Sequence, residues 1–198
     1  MFIRSFILMT CFAYFVSKGA SYGNITLAAN TILLNFFFLY SYAIDGFAHA
    51  SESLVGEAYG KKNKKDLRDA IFITGKFSLY LSVIFIFILA TSSDFIIKII
   101  TNLDLVQLDA GLYLKWLLFI FIFGTVAFWL DGVFIGLLFT KIMRNIMIAS
   151  GIFFIVFEQL ILESNNEGLW ISFLIFFIIR SILLSHSLYQ GIRKNLYV

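Results

Sequence analysis

The sequence predicts an all-α, polytopic membrane protein with about six transmembrane helices, and three observations carry that prediction. The mean hydropathy is +0.93 with only 14% charged residues, which leaves too little polar surface to cover the apolar side chains in water. Apolar runs recur along the 198 residues at lengths near or above the ~20 residues that cross a bilayer. Lysine and arginine gather at every second end of those runs, the pattern of a chain threaded back and forth through lipid.

Six apolar segments follow in order, near Phe6–Val16, Leu27–Tyr59, Ala70–Thr91, Leu112–Phe139, Ile146–Leu162 and Leu169–Leu188. The first is short enough to resemble a signal-peptide core. No small-residue cleavage pattern follows it and the next run begins within about ten residues, so a membrane span is expected. Segments two and four exceed the roughly 30 Å hydrocarbon thickness, so tilt, breaks or projecting ends are expected. Proline is absent, so any kink must come from glycine or from a side chain entering the backbone ladder. The single cysteine, Cys11, permits no internal disulfide.

The connecting stretches give an orientation. Arg4 precedes segment one, and the link after it, "SYGN", is uncharged. Segment two ends in "KKNKKDLRD", segment four in "KIMR", and segment six near Arg193 and Lys194. The other ends carry "SSDFIIKIITNLDLVQLD" and "ESNNEG", where Asp94, Asp104, Asp109, Glu163 and Glu167 outnumber Lys98. With the positive-inside rule, both termini and the "KKNKK" loop are expected in the cytoplasm of a multi-pass protein of the bacterial inner membrane. Tyr113, Trp116 and Trp170 then fall at outer ends, as interfacial aromatics. The expected partner of the basic loop is the lipid bilayer, with no nucleic acid, because the loop has no aromatic side chains on which bases would stack.

Polar residues inside the spans are the candidates for chemistry. In "YAIDGFAHASESLVGEAYG", His49 and Glu52 lie about 40° and 340° around the helix from Asp45, so the three share one face. Glu57 points elsewhere, toward the cytoplasmic end. Segment four carries Asp131 with the nearest basic residue along the chain at Lys141. A helix-centre aspartate costs roughly 3 kcal/mol on insertion, and a dozen Leu, Ile, Phe or Val residues return about 4–7, so the segment inserts. Its carboxylate must then face other helices or a wet cavity, or stay protonated. Gly46 and Gly56, with Gly132 and Gly136 after Asp131, form small-residue steps that suit close helix packing. Arg180 requires a carboxylate or carbonyl partner or must snorkel to the interface, and Glu158 is expected to be solvated near an outer end.

The runs "LAANTILLNFFFLYSYAIDGFAHASESLVGEAYGKKN" and "FWLDGVFIGLLFTKIMRNIMIAS" together resemble the MATE family of multidrug and toxin extrusion antiporters, in its DNA-damage-inducible F-type branch. The resemblance covers nearly the whole chain, residues 1–198, as one six-helix lobe, the second half of a twelve-helix transporter. It implies a secondary active transporter that exports drugs or organic, often cationic, compounds in exchange for a proton or sodium ion. Asp131 falls on the family's acidic position in the tenth helix, a cation-coupling position in some members. Asp45, with His49 and Glu52, falls in the eighth helix as further coupling candidates. The acid that some members carry in the seventh helix has no counterpart in "RSFILMTCFAYFVSK". No cofactor and no resident metal are implied.

One lobe offers half of an alternating-access cleft. Three arrangements are therefore open: an inactive remnant of a split gene, a lobe completed by a separately encoded N-terminal half, or a homodimer. A flippase-like carrier of lipid-linked substrates is an alternative from the same broader fold group, and would want several basic residues lining the cavity. A membrane phosphatidyl-transferase shares the Asp-Gly start of "DGFAHA". It is set aside, because the required Ala-Arg pair and two further aspartates are missing, so an enzyme is not expected. One cysteine and two histidines give no zinc-type spacing.

Overall fold

The computed structural model describes residues 2–160 and 165–193. Six helices follow one another: α1 (Phe2–Ser21), α2 (Asn24–Gly60), α3 (Lys64–Ile100), α4 (Asp104–Gly136), α5 (Thr140–Leu160) and α6 (Asn166–Arg193). Among the described residues, α2 to α6 are long and apolar enough to cross a membrane, and the chain is a multi-pass membrane protein. α1 falls outside that set. Its 20 residues include Arg4 and Lys18, and both are used inside the bundle.

The helices overrun the apolar segments. α3 begins six residues before Ala70 and ends nine after Thr91, because hydropathy marks where lipid contact ends, whereas a helix continues until a breaker or a cap stops it. "SSDFIIKII" has neither glycine nor proline, so the expected loop is helix, and α3 turns into α4 within residues 101–103. Each 37-residue helix is about 55 Å long and must tilt or project from the bilayer. Conversely, Leu137–Phe139 belongs to no helix, although hydropathy alone extends segment four through it. The chain reverses there with Leu138 at φ 65°.

Short turns force antiparallel neighbours. At the basic turn, Lys62 takes φ 52°, and the Asn63 side chain accepts from Lys65 N at 3.0 Å and Asp66 N at 3.3 Å, capping α3. Glu57 accepts from Lys61 Nζ at 2.5 Å, and that carboxylate holds the exposed Lys61 ammonium above its usual pKa. Glu163 and Lys194, used above for orientation, lie outside the described residues.

α4 is the central post, packed by α2, α3 and α6 and touched by α5, while α1 packs on α5, α2 and α6. The contact between α2 and α4 is the closest. A Cβ at Gly132 would land inside the Ala48 carbonyl, and one at Gly136 would come within 2.7 Å of the Glu52 carbonyl. Gly56 faces Gly136 from the other side. Gly56, Gly132 and Gly136 line this contact. Gly46 does not: it is exposed, with nothing within 4 Å of a Cβ built there, because it lies on the face of α2 turned away from α4. Around α4, the core divides into an aromatic cluster including Phe37, Phe173 and Phe177, and a smaller one around Val55, Phe134 and Leu184.

A candidate ion-pair site between four helices

Asp131 lies one residue before Gly132, so it sits where α2 and α4 come together. It is 3% exposed and does not face lipid. Its Oδ2 accepts from Arg180 Nη2 of α6 and from Arg4 Nη1 of α1. Neither partner is near in sequence, which is why Lys141 looked like the nearest cation. Arg180 is 1% exposed, midway along α6, with its guanidinium 5.5 Å from the Phe128 ring centroid one turn before Asp131. Its requirement for a partner is met by an ion pair, and it does not snorkel. Arg4 is different, because 23% of its side chain remains exposed. Among the described residues, Asp131 Oδ1 and Arg180 Nη1 are buried without hydrogen-bond partners. A carboxylate and a fork-shaped guanidinium can pair through both atoms at once, so these two groups have unused capacity facing the same junction.

Asp45 completes the arrangement from α2. It is half-buried, and the charges that act on it are Arg4, His49, Asp131 and Arg180. Two guanidiniums and two carboxylates therefore balance formally, which is how a low-dielectric interior tolerates four ionisable groups. His49 Nδ1 lies 3.5 Å from Glu52 Oε2, so the expected shared face exists, but their side chains are 80% and 41% exposed. The face is open at His49 and closes toward Asp45. The sequence-predicted residues thus divide into an enclosed part, Asp131 with Asp45, and an outer part, His49 with Glu52.

Three polar clusters lie elsewhere, and the first two correct the expectations. Glu158 is buried, not solvated: it accepts from Tyr14 at 2.5 Å and Tyr22 at 3.5 Å and pairs with Lys18 at 3.1 Å. α1 supplies Tyr14 and Lys18 and the turn after it supplies Tyr22, so the docking of α1 on α5 encloses an acid that hydropathy placed at a segment end. Trp170 is not an interfacial aromatic. It is fully buried, donating from Nε1 to Asn30 Oδ1 at 2.9 Å beside the Asn30–Asn166 pair. Finally, Tyr40 of α2 donates to the Phe121 carbonyl at 2.8 Å and touches Thr125 and Ser82, a hydroxyl cluster that ties α2, α3 and α4 together. Arg4 and Lys18 are the site residues that sequence reasoning missed. Both stood in view as charges flanking or ending an apolar run, but their partners lie 127 and 140 residues away, and only packing selects them. Among the described residues, no cluster of three or more His, Cys, Asp or Glu suits a metal ion.

Comparison with known proteins extends this picture. The model of the MatE family matches residues 1–160. The DNA damage-inducible protein F of Escherichia coli K12 is 30% identical over 183 residues, which is 92% of this chain and 40% of that protein. A crystal structure of a MATE protein in the bent conformation superposes with a TM-score of 0.82 at 16% identity, over 93% of this chain and 42% of that one. The second likeness is one of fold. The chain spans about 40% of the length of the relative it matches.

Proposed function

The chain belongs to the MatE family, and from that membership we propose that it is the second six-helix lobe of a cation-coupled antiporter exporting organic compounds. The observation that carries this reading is the single carboxylate shared by two guanidiniums from different helices. A proton or sodium ion arriving at Asp131 weakens the hold of that carboxylate on both arginines. Arg180 stays in place, because it is enclosed and rests on Phe128. Arg4 is partly exposed, and its helix packs on α5, α2 and α6, so the ion pair is its tie to α4. Discharge of Asp131 therefore frees α1 first. Release of one helix from the central post is the kind of two-state step that lets a cation bias an alternating-access equilibrium. Asp45, between the open His49/Glu52 face and Asp131, is the natural relay for the incoming cation.

The proposed partner is a first lobe supplied by a separate chain, with the substrate held between the lobes. The proposed setting is the bacterial inner membrane, with both termini cytoplasmic. A flippase-like carrier gains no support from Arg180, whose charge is taken up by Asp131 and does not line an open cavity.

The test is cation-driven dye efflux with this chain co-produced with a first lobe of the family. Asp131→Asn is expected to abolish the dependence of efflux on the cation gradient, and Arg4→Gln to weaken it. If Asp131→Asn exports dye as the parent does, with the same cation dependence, Asp131 is not the coupling site.

A further inference from the structure

α3 carries Arg68, Phe72, Gly75, Lys76 and Leu79 three and four residues apart, along one face. Such a face ordinarily packs against a neighbour. Here it opens onto a groove of about 650 Å³, floored by Val126 and Trp129 of α4 and bounded by Ile192 of α6. The floor is fixed. Trp129 Nε1 donates to Thr74 Oγ1 at 3.0 Å, and the indole lies so close over Gly75 that a Cβ there would come within 2.7 Å of it.

The lining is mostly apolar, with hydroxyls at Tyr80 and Thr125, and its charged members are two cations. Arg68 stands at the end next to the basic turn. Lys76 lies two turns deeper, with Nζ 5.6 Å from the Tyr80 ring centroid. Among the described residues neither belongs to an ion pair. The nearby carboxylates Asp66 and Asp69 line a different depression, with Glu57 and Lys61. From Arg68 to Tyr80 the helix rises about 18 Å, close to the ~15 Å depth of one hydrocarbon leaflet. α3 is also the least buried of the spanning helices, and it packs mainly on α2 and α4.

We propose that this groove binds an anionic glycerophospholipid. One acyl chain lies along Phe72, Leu79 and Trp129, and the phosphate is held by Arg68, with Lys76 reaching up toward it. Basic pockets between helices recognise anionic headgroups in this way, and long cationic side chains snorkel to meet them. A lysine set two turns into an apolar wall calls for a counter-anion, and a lipid phosphate supplies one without bringing water. The proposal requires only that the chain spans a bilayer, and it stands or falls independently of transport.

The test uses the intrinsic fluorescence of Trp129 in vesicles containing acyl-brominated lipids, which quench an indole on contact. The Trp129 part is the difference between the parent and Trp129→Phe, since Trp116 and Trp170 also emit. Brominated phosphatidylglycerol in a phosphatidylcholine background should quench it at a mole fraction about tenfold lower than brominated phosphatidylcholine does. In Arg68→Gln/Lys76→Gln, both exposed positions, helicity by circular dichroism should be unchanged and the preference should fall below about twofold. Equal quenching by the two lipids in the parent, or a preference that survives the double substitution, would overturn the proposal. So would the absence of quenching by either lipid, which would mean that protein covers the groove. Relief of quenching by inorganic phosphate would also overturn it, since the site would then read phosphate and not lipid.

Discussion

At the scale of single residues, the decisive feature is a charge count. Asp131 alone looks like an expensive exception in an apolar run, whereas Asp131 with Arg180 is a buried pair whose desolvation cost is shared. Removing Arg180 leaves Asp131 buried with only the partly exposed Arg4 to balance it, so Arg180→Ala is expected to destabilise the detergent-solubilised protein by about 3 kcal/mol, the low end for breaking a buried pair. Arg180→Met combined with Asp131→Leu should recover most of that loss, because it removes the two enclosed charges and leaves only Arg4, whose side chain is partly exposed. Thermal unfolding followed by circular dichroism measures both. A double variant no more stable than Arg180→Ala would mean that packing at the site, and not charge pairing, is what matters. A second residue-scale prediction concerns Leu138, a non-glycine residue at φ 65° with 77% of its surface exposed. Its side chain gains little from burial while its backbone is strained, so Leu138→Gly should stabilise by about 1 kcal/mol.

At the scale of elements, the α2–α4 contact sets the geometry of the site. Gly132 and Gly136 meet backbone atoms of Ala48 and Glu52, which cannot move aside as a side chain would. Gly132→Ala is therefore expected to push α2 from α4 and cost about 1–3 kcal/mol. Gly46→Ala, on the open face of the same helix, should be neutral or stabilising by about 0.5–1 kcal/mol through helix propensity. Comparing the two melting temperatures separates packing from propensity, and equal shifts would contradict the contact described here. The sequence made the four glycines look alike. Their spacing identifies a smooth stripe on a helix, but which stripe meets a neighbour depends on rotation about the helix axis, and Gly46 falls on the wrong side. The same limit explains Glu158 and Trp170. Each sits near a segment end, where hydropathy predicts water or headgroups, and each is enclosed by helices arriving from elsewhere in the chain.

At the scale of the whole molecule, antiparallel helices joined by short turns place the Lys61–Asn63 turn and the Thr101–Leu103 turn at opposite ends of α3. Cys11 is buried, so the native chain is a nearly silent background for thiol labelling. With the proposed orientation, a cysteine at Lys62 should resist a membrane-impermeant maleimide in intact cells and react after lysis, and one at Asn102 should react in both. The reverse pattern would invert the orientation. Both sites labelled from outside would argue against a membrane-spanning α3.

The sequence by itself determined the solvent, the helical class and the number and order of the segments. Each of those follows from local composition: lipid demands runs of apolar side chains and satisfied backbone hydrogen bonds, and both can be read along the chain. Asp131 and Asp45 were legible for the same reason, since a carboxylate in such a run is costly wherever it points. Tertiary structure alone decided which cations answer them. Arg4 and Arg180 reach Asp131 because α6 packs on α4 and α1 packs on α2 and α6 beside it, and the rotation and neighbours of a helix are set by side-chain fit across the bundle, to which no single segment holds the key.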